Sequence, residues 1–527
     1  VGAFAGSRGD AIFCACMFDV KQKSKNIRIN LNNLKKRIIL FLFIFKNYII
    51  YKVFFNFQSK KIKIMENDGQ IVEKDEPVSM FNGARAAAIR ILSRFERSDS
   101  YIDKLVDYEL RTGNLSDLDK SLLTELVNGV IRWKSKIDWV LVGFYHGDYL
   151  KCLNIVKNAM RVALYQILYL DRIPIPAAIN DSVEIIKRIQ GEKTAGIVNG
   201  VLRNIARSLD NVRFPEKDED PIYYYSVIYS HPRWMVKRWM DRFGEMETEK
   251  LLYINNRRPY ICIRVNTLKT KPEDVMSWLK ANEIIYLPSP LLKQSILLKG
   301  LRGDISALEI FKNGWITVQD TSASLVTLLS KPKPGYTILD LCAAPGGKSF
   351  LLAELIADRG RIIAVDQYRS KLRFIEEGAD RLGITSITAL CEDAESMKFD
   401  EQVDLVCVDV PCSGTGTISK KPDIKWKRER DDIVKLVDSQ RKILVSASKL
   451  IKSGGAIIYT TCSIEPEENQ ENIEWFLKNN PDFELESAEK YLPKEICKDG
   501  YVQIFPHIHN IDGAFGARLI KKDSKPE

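Results

Sequence analysis

The sequence predicts three successive architectures: an all-helical N-terminal domain, a small α/β linking domain and a C-terminal doubly wound α/β domain. Three observations carry this. From residue 84 to about 209, apolar side chains recur at helical spacing, as in Ile89, Leu92 and Phe95 and again in Leu122, Leu126 and Val130. A charged link containing proline, residues 214–221, then precedes segments that mix helix and strand patterns. From Gly335 onward, short apolar runs alternate with amphipathic stretches, the pattern of parallel strands joined by helices.

Length and composition fit this division. The chain has 527 residues, enough for two to four domains. Its 45% hydrophobic and 28% charged content place it with soluble globular proteins. The net charge of +10 suggests a polyanionic partner, but residues 1–64 hold 13 Lys/Arg and 2 Asp/Glu, leaving 66 basic and 67 acidic residues beyond them. Any nucleic-acid surface must therefore be a local patch. Ten scattered cysteines, several inside apolar runs, point to a reducing cytoplasm rather than a disulfide framework. Cys14 and Cys16 are too close for the usual zinc pair, and with four histidines no metal site is expected.

The elements follow in order. Residues 1–79 read as a leader outside the native fold. Residues 38–57 are nearly all Ile, Leu, Phe, Tyr, Asn and Lys, but Lys46 and Lys52 interrupt them before a bilayer-spanning length of about 20 residues is reached. Translated upstream sequence, with the native start at Met65 or Met80, is the plainer reading, and a targeting segment is the other. Residues 65–78 are polar and unpatterned, as in a flexible tail. The helical domain is assigned to 80–225. Its helices run near Leu141, over 155–170, 179–189 and 195–206; Pro174 and Pro176 break two of them, and Asp181 is a candidate cap. The linking domain is assigned to 226–330. A helix opens at 230–234, residues 258–266 alternate like a strand, 272–281 read as a helix and 284–298 as strands. Its aromatic and basic residues, among them Tyr223, Tyr225, Trp234, Trp239, Arg257, Arg258 and Arg264, suit either RNA stacking or plain packing, and packing is preferred for the two tryptophans. The last domain is assigned to 331–522. Strands are expected at 337–342, 361–366, 386–392, 403–410 and 455–461, helices at 348–357, 369–382, 430–451 and 465–479, and a terminal hairpin from 502–505 and 515–520.

Three strand ends carry chemistry. Residues 340–348 form a Gly-Pro turn between a strand and a helix, where backbone lets a ligand approach closely. The turn lacks both the dinucleotide and the P-loop spacing. Asp366 and Asp393 end the next two strands, and such carboxylates suit a ribose and an adenine amino group. Each alone is as readily a helix cap; together with Asp340 they favour a nucleoside. Cys412, three residues after Asp409, and Cys462 end two further strands among polar and turn residues, whereas Cys391 and Cys407 read as packing. A thiolate adding to C6 of a pyrimidine makes C5 nucleophilic, so a paired-cysteine rim suits methylation at C5.

Resemblance narrows these readings. Residues 118–132, 173–180 and 197–204 are similar to motifs of the helical antitermination factor NusB, whose fold binds RNA and protein partners. Arg85, Arg90, Arg94, Arg132, Lys134, Lys136 and Arg203 are candidates for such a face, with solvated surface charge the plain alternative. Residues 340–349, 409–416, 421–426 and 460–469 resemble the RNA cytosine-C5 methyltransferases, and 512–515 are close to that family's Asp-Gly-Phe-Phe, with Ala514 a departure. Together they resemble the bacterial 16S rRNA (cytosine-C5) methyltransferase RsmB/Sun family.

The resemblance implies a NusB-like domain followed by a Rossmann-like class I methyltransferase domain. It implies S-adenosyl-L-methionine as cofactor, small-subunit ribosomal RNA as partner, and a monomer with no membrane association. It assigns Cys462 as nucleophile, Cys412 to product release and Asp409 to the cytosine as well as the cofactor. Cys342, Ala343, Ala344, Pro345, Gly346, Gly347, Lys348, Asp366 and Asp393 are implied to bind the cofactor. Lys425 and Arg428, in the loop after Cys412, are candidate phosphate contacts. Two alternatives stay open: the same chemistry on tRNA or another RNA, and a non-catalytic RNA-binding assembly factor.

Overall fold

A computed structural model describes residues 64–65, 71–72 and 83–523 except Arg302. Residues 38–57 lie outside the described residues. Ile64–Met65 and Ile71–Val72 pair antiparallel, where the sequence suggested an unstructured tail.

Residues 84–207 form six helices: α1 (Ala84–Phe95), α2 (Ile102–Thr112), α3 (Asp117–Arg132), α4 (Lys134–Phe144), α5 (Asn154–Tyr169) and α6 (Ile175–Arg207). Helix α5 is the central rod, burying Val156, Ala159, Met160, Val162, Ala163 and Leu164 together with the polar Asn158, Arg161 and Gln166. Gly129 lets α3 approach it, because a Cβ there would lie 2.0 Å from the Tyr165 ring. The two helices expected at 179–189 and 195–206 are the two segments of α6, which meet at Gly191, where φ 83° and ψ 170° interrupt the helical backbone. Asp181 lies inside the first segment and pairs with Arg85 rather than capping a start.

Helices α7 (Pro221–Ile228) and α8 (Arg233–Asn255) lead to a four-stranded antiparallel sheet. Its strands are β1 (Ile261–Val265), β2 (Tyr286–Pro288), β3 (Ser295–Leu298) and β4 (Ile316–Val318), in the order β2-β3-β1-β4, with α9 (Pro272–Ala281) between β1 and β2 in sequence. Trp239 is fully buried and its Nε1 donates to Glu465, so packing describes it. Arg264 is buried against Glu354 and Gln319, which removes it from any RNA clamp.

Helix α10 (Thr321–Leu328) enters the largest sheet. Besides a two-residue edge strand, Cys497–Lys498, its strands are β5 (Thr337–Leu341), β6 (Arg361–Val365), β7 (Ile387–Leu390), β8 (Val403–Asp409), β9 (Ile451–Thr461), β10 (Phe483–Glu486), β11 (Tyr501–Ile504) and β12 (Ala514–Lys521). Helices α11 (Gly347–Leu355), α12 (Arg369–Leu382), α13 (Arg430–Leu450) and α14 (Gln470–Asn479) connect them. Strands β9, β8, β5, β6 and β7 lie side by side in parallel, and β12 adds antiparallel to β9. The order runs outward from β5 in both directions, so the topological switch point falls between β5 and β8. Open α/β sheets bind ligands at the carboxyl ends of strands at that point. No described helix is long and apolar enough to cross a membrane.

Candidate active site

The strand order sets a row of side chains along one rim. Cys462 follows β9, Asp409 ends β8 with Cys412 just beyond, Cys342 follows β5, Asp366 follows β6, and Asp393 follows β7. Cys412 and Cys462 lie on one side of the switch point, Cys342 and the β6 and β7 carboxylates on the other.

The turn after β5 is tightly specified. Cys342 takes φ 61°, left-handed and costly for a residue with a Cβ. Gly346 takes φ 106°, and a Cβ there would lie 2.6 Å from the Phe350 ring. Gly347 then opens α11. The turn leaves no room for a side chain at Gly346, and the carboxylates beside it are acceptors suited to the hydroxyl and amino groups of a nucleoside. Asp366 accepts from the Tyr368 amide through Oδ1 at 2.9 Å, leaving Oδ2 with no protein hydrogen bond among the described residues. Asp393 is exposed and its oxygens accept from the Glu395 amide and Ser396 Oγ, so it caps its own turn as well as facing the rim.

At the other end, Cys412 Sγ and Cys462 Sγ are 3.2 Å apart. Cys462 opens to solvent and Cys412 is half-buried. Their electrostatics differ. The Cys412 thiol, as donor to Cys462, holds the latter's pKa below the usual thiol value, and Lys348 and Lys421 act in the same direction against crowding and Asp409. The hydrogen bond to Cys462, then burial, push the Cys412 thiol well up. Either thiol can donate across the 3.2 Å contact, and the Lys348 and Lys421 charges favour the thiolate on Cys462. Lys348 Nζ lies 2.6 Å from Asp409 Oδ2, and Thr460 Oγ1 donates to Asp409 Oδ1 at 2.9 Å. Cys407 is buried with its pKa raised by desolvation, an inert packing thiol.

One expected contact is corrected. Lys425 is fully buried, and its Nζ donates to the carbonyls of Arg132 and Ser230 at 2.7 and 2.8 Å and to Asn256 Oδ1 at 3.1 Å. It reaches no phosphate. Arg428 donates to the carbonyls of Cys412 and Ser413 at 3.2 and 3.3 Å, bracing the cysteine loop. In the helical region Arg132 is also buried, donating to the Ser419 carbonyl, while Arg85, Arg90 and Lys134 are paired with Asp181, Glu109 and Asp138.

A Bacillus subtilis protein named probable ribosomal RNA small subunit methyltransferase B is 38% identical over 446 residues, covering 83% of this chain and 98% of its own. The chain belongs to the RsmB/F family of 16S rRNA methyltransferases. The model of that family's methyltransferase domain matches residues 326–520, the NusB family model 82–207, and the ferredoxin-like domain of RsmF/B-like methyltransferases 231–302. An Escherichia coli relative (strain IAI39) named ribosomal RNA small subunit methyltransferase B is 34% identical over 410 residues, 77% of this chain and 92% of that one. The crystal structure of PH0851 superposes with a TM-score of 0.71 at 28% identity, covering 85% of this chain and all of that one.

For an RsmB/F methyltransferase, sequence reasoning missed the supports beneath the two thiols. Glu468, Gln440, Ser413 and Ser463 form one buried network under them. A signal was present: each cysteine is followed by serine, and a carboxylate lies six residues after the second. Lys420 was missed too, bridging Asp320 and Asp512 where the loop after Cys412 meets the terminal hairpin.

Proposed function

We propose that the protein methylates C5 of a cytosine in 16S ribosomal RNA, through a covalent bond between Cys462 and C6 of the base. The observation that carries this reading is the thiol pair, 3.2 Å apart at the switch point with the Lys348–Asp409 ion pair beside it. The names of the B. subtilis and E. coli relatives support the small-subunit RNA as substrate.

S-adenosyl-L-methionine, when bound, supplies an electrophilic methyl group. The cradle of Cys342, Ala343, Ala344, Pro345, Gly346, Gly347 and Lys348, with Asp366, Asp393 and Asp409, would hold it. Cys462 adds to C6, and the C5=C6 electrons move into the ring so that C5 becomes enamine-like. Asp409, held by Lys348 and Thr460, faces the base and orients it. Once C5 carries methyl, its proton passes to a base at the rim, the C–H electron pair re-forms the double bond and the C6–S pair returns to Cys462. Cys412, beside the departing sulfur, assists that release. The same reading divides the chain at 80–225, 226–330 and 331–522.

The experiment is direct. Cys462→Ala should abolish methyl transfer to small-subunit RNA while retaining cofactor binding, and near-normal turnover would sink the nucleophile. Cys412→Ala should accumulate a protein–RNA adduct that survives denaturing electrophoresis; its absence would remove the release role. Bisulfite sequencing of rRNA and tRNA from a deletion strain identifies the substrate.

A further inference from the structure

We propose that Glu468 is a positioning residue that fixes the separation of the two cysteine thiols by holding the residue after each of them. Its side chain is fully buried, in the 3-10 turn Pro466–Glu468. Oε1 accepts from the Ser413 amide at 2.7 Å and from Gln440 Nε2 at 2.9 Å. Oε2 accepts from the hydroxyls of Ser413 and Ser463, each at 2.5 Å. Ser413 is bonded directly to Cys412 and Ser463 to Cys462. One carboxyl group therefore spans two loops 50 residues apart in sequence, directly beneath the sulfur pair.

The surrounding bonds make this a clamp. Gln440, from α13, also donates to the Pro411 carbonyl at 2.9 Å, so the residues on both sides of Cys412 are tied. Asn469 donates to the Ser463 carbonyl at 3.0 Å and accepts from Thr461 Oγ1 at 2.6 Å, so both sides of Cys462 are tied as well. No Lys or Arg pairs with Glu468 among the described residues. A buried carboxyl without a cation persists when its hydrogen bonds are filled, and here all four donors come from the cysteine loops and the helix behind them. Burial raises its pKa while these bonds oppose the rise.

Two thiols must act in turn on one base, so their spacing matters more than the mere presence of either. That Glu468 serves release in particular rests on the reaction proposed above. A displacement of about 1 Å at a reacting group costs on the order of a hundredfold in rate.

Dibromobimane tests the spacing without RNA. It fluoresces strongly when two nearby thiolates each displace one bromide, and the signal lost in Cys462→Ala defines the contribution of this pair. Glu468→Ala should bridge about tenfold more slowly than wild type, and the isosteric Glu468→Gln within about threefold of it. In the methylation assay Glu468→Ala should lower kcat by about a hundredfold with KM for RNA little changed, and accumulate the covalent adduct. Ser463→Ala removes one arm of the clamp and carries the same direction should Glu468→Ala not fold. A folded Glu468→Ala that bridges at the wild-type rate overturns the proposal. Slow bridging in Glu468→Ala, with no methylation even by wild type, supports the clamp and sinks the reaction reading alone.

Discussion

Asp340, the fourth residue of β5, carries a carboxyl that sees no solvent. Ser349 Oγ donates to its Oδ2 at 2.5 Å, and Oδ1 has no partner among the described residues. Burial pushes its pKa up to about 7, against an ordinary value of 3.8. Between those values the folded protein holds a proton that the unfolded chain has lost, so this group's contribution to stability falls as pH rises through the window. Asp340→Asn should remove that fall. Melting wild type and variant from pH 4.5 to 8 checks it, and a difference between them that stays constant with pH would count against the burial account. Lys348 makes an opposite argument at its neighbour. Its charge lowers the pKa of Cys462, so Lys348→Met should slow alkylation of Cys462 by iodoacetamide at neutral pH, with the lost reactivity returning at higher pH.

At the scale of elements, the turn after β5 and the loop after Cys412 do different work. The turn needs bare backbone. Gly346→Ala must hold a side chain at φ 106° and drive a Cβ into Phe350. The backbone term alone is roughly 1–2 kcal/mol, so a lowered melting temperature and weaker cofactor binding by calorimetry are expected together. The loop is a plug. Asp423 accepts from the first amide of α2 at 3.0 Å, Trp426 Nε1 donates to the Ile131 carbonyl at 2.7 Å, and Lys427 donates to the carbonyls of Phe95 and Ser98. Lys425 ties three oxygen acceptors at the centre. Lys425→Met keeps the length but strands those acceptors, at about 1–3 kcal/mol for each one left without water. Chemical denaturation should show a matching drop in midpoint, while Lys421→Ala, at the exposed entrance to the plug, should move it little.

Across the whole molecule, what the sequence made legible was whatever repeats along the chain. Alternating apolar runs marked β5, β6, β8 and β9, and their turn residues marked the rim. Helical spacing marked α1, α3 and α5. What escaped depends on partners far away in sequence. Lys425 reads as a cation in a polar loop, because a one-turn helix says nothing of the socket it enters. Glu468 sits in an acidic run that looks solvated, and only the folded sheet brings Ser413 to it. That the hairpin strand β12 lies beside β9 is likewise a fact of the assembled sheet.

The plug also orders events in time. Its bonds to the helical region join residues about 290 positions apart, as between Lys425 and Arg132. A ribosome adding about 5–20 residues each second makes the helical side of the socket roughly 15–60 s before the piece that fills it. Through that interval the carbonyls of Arg132 and Ile131 and the first amide of α2 lack the partners the loop brings. The helical region is therefore completed by a loop made long after it.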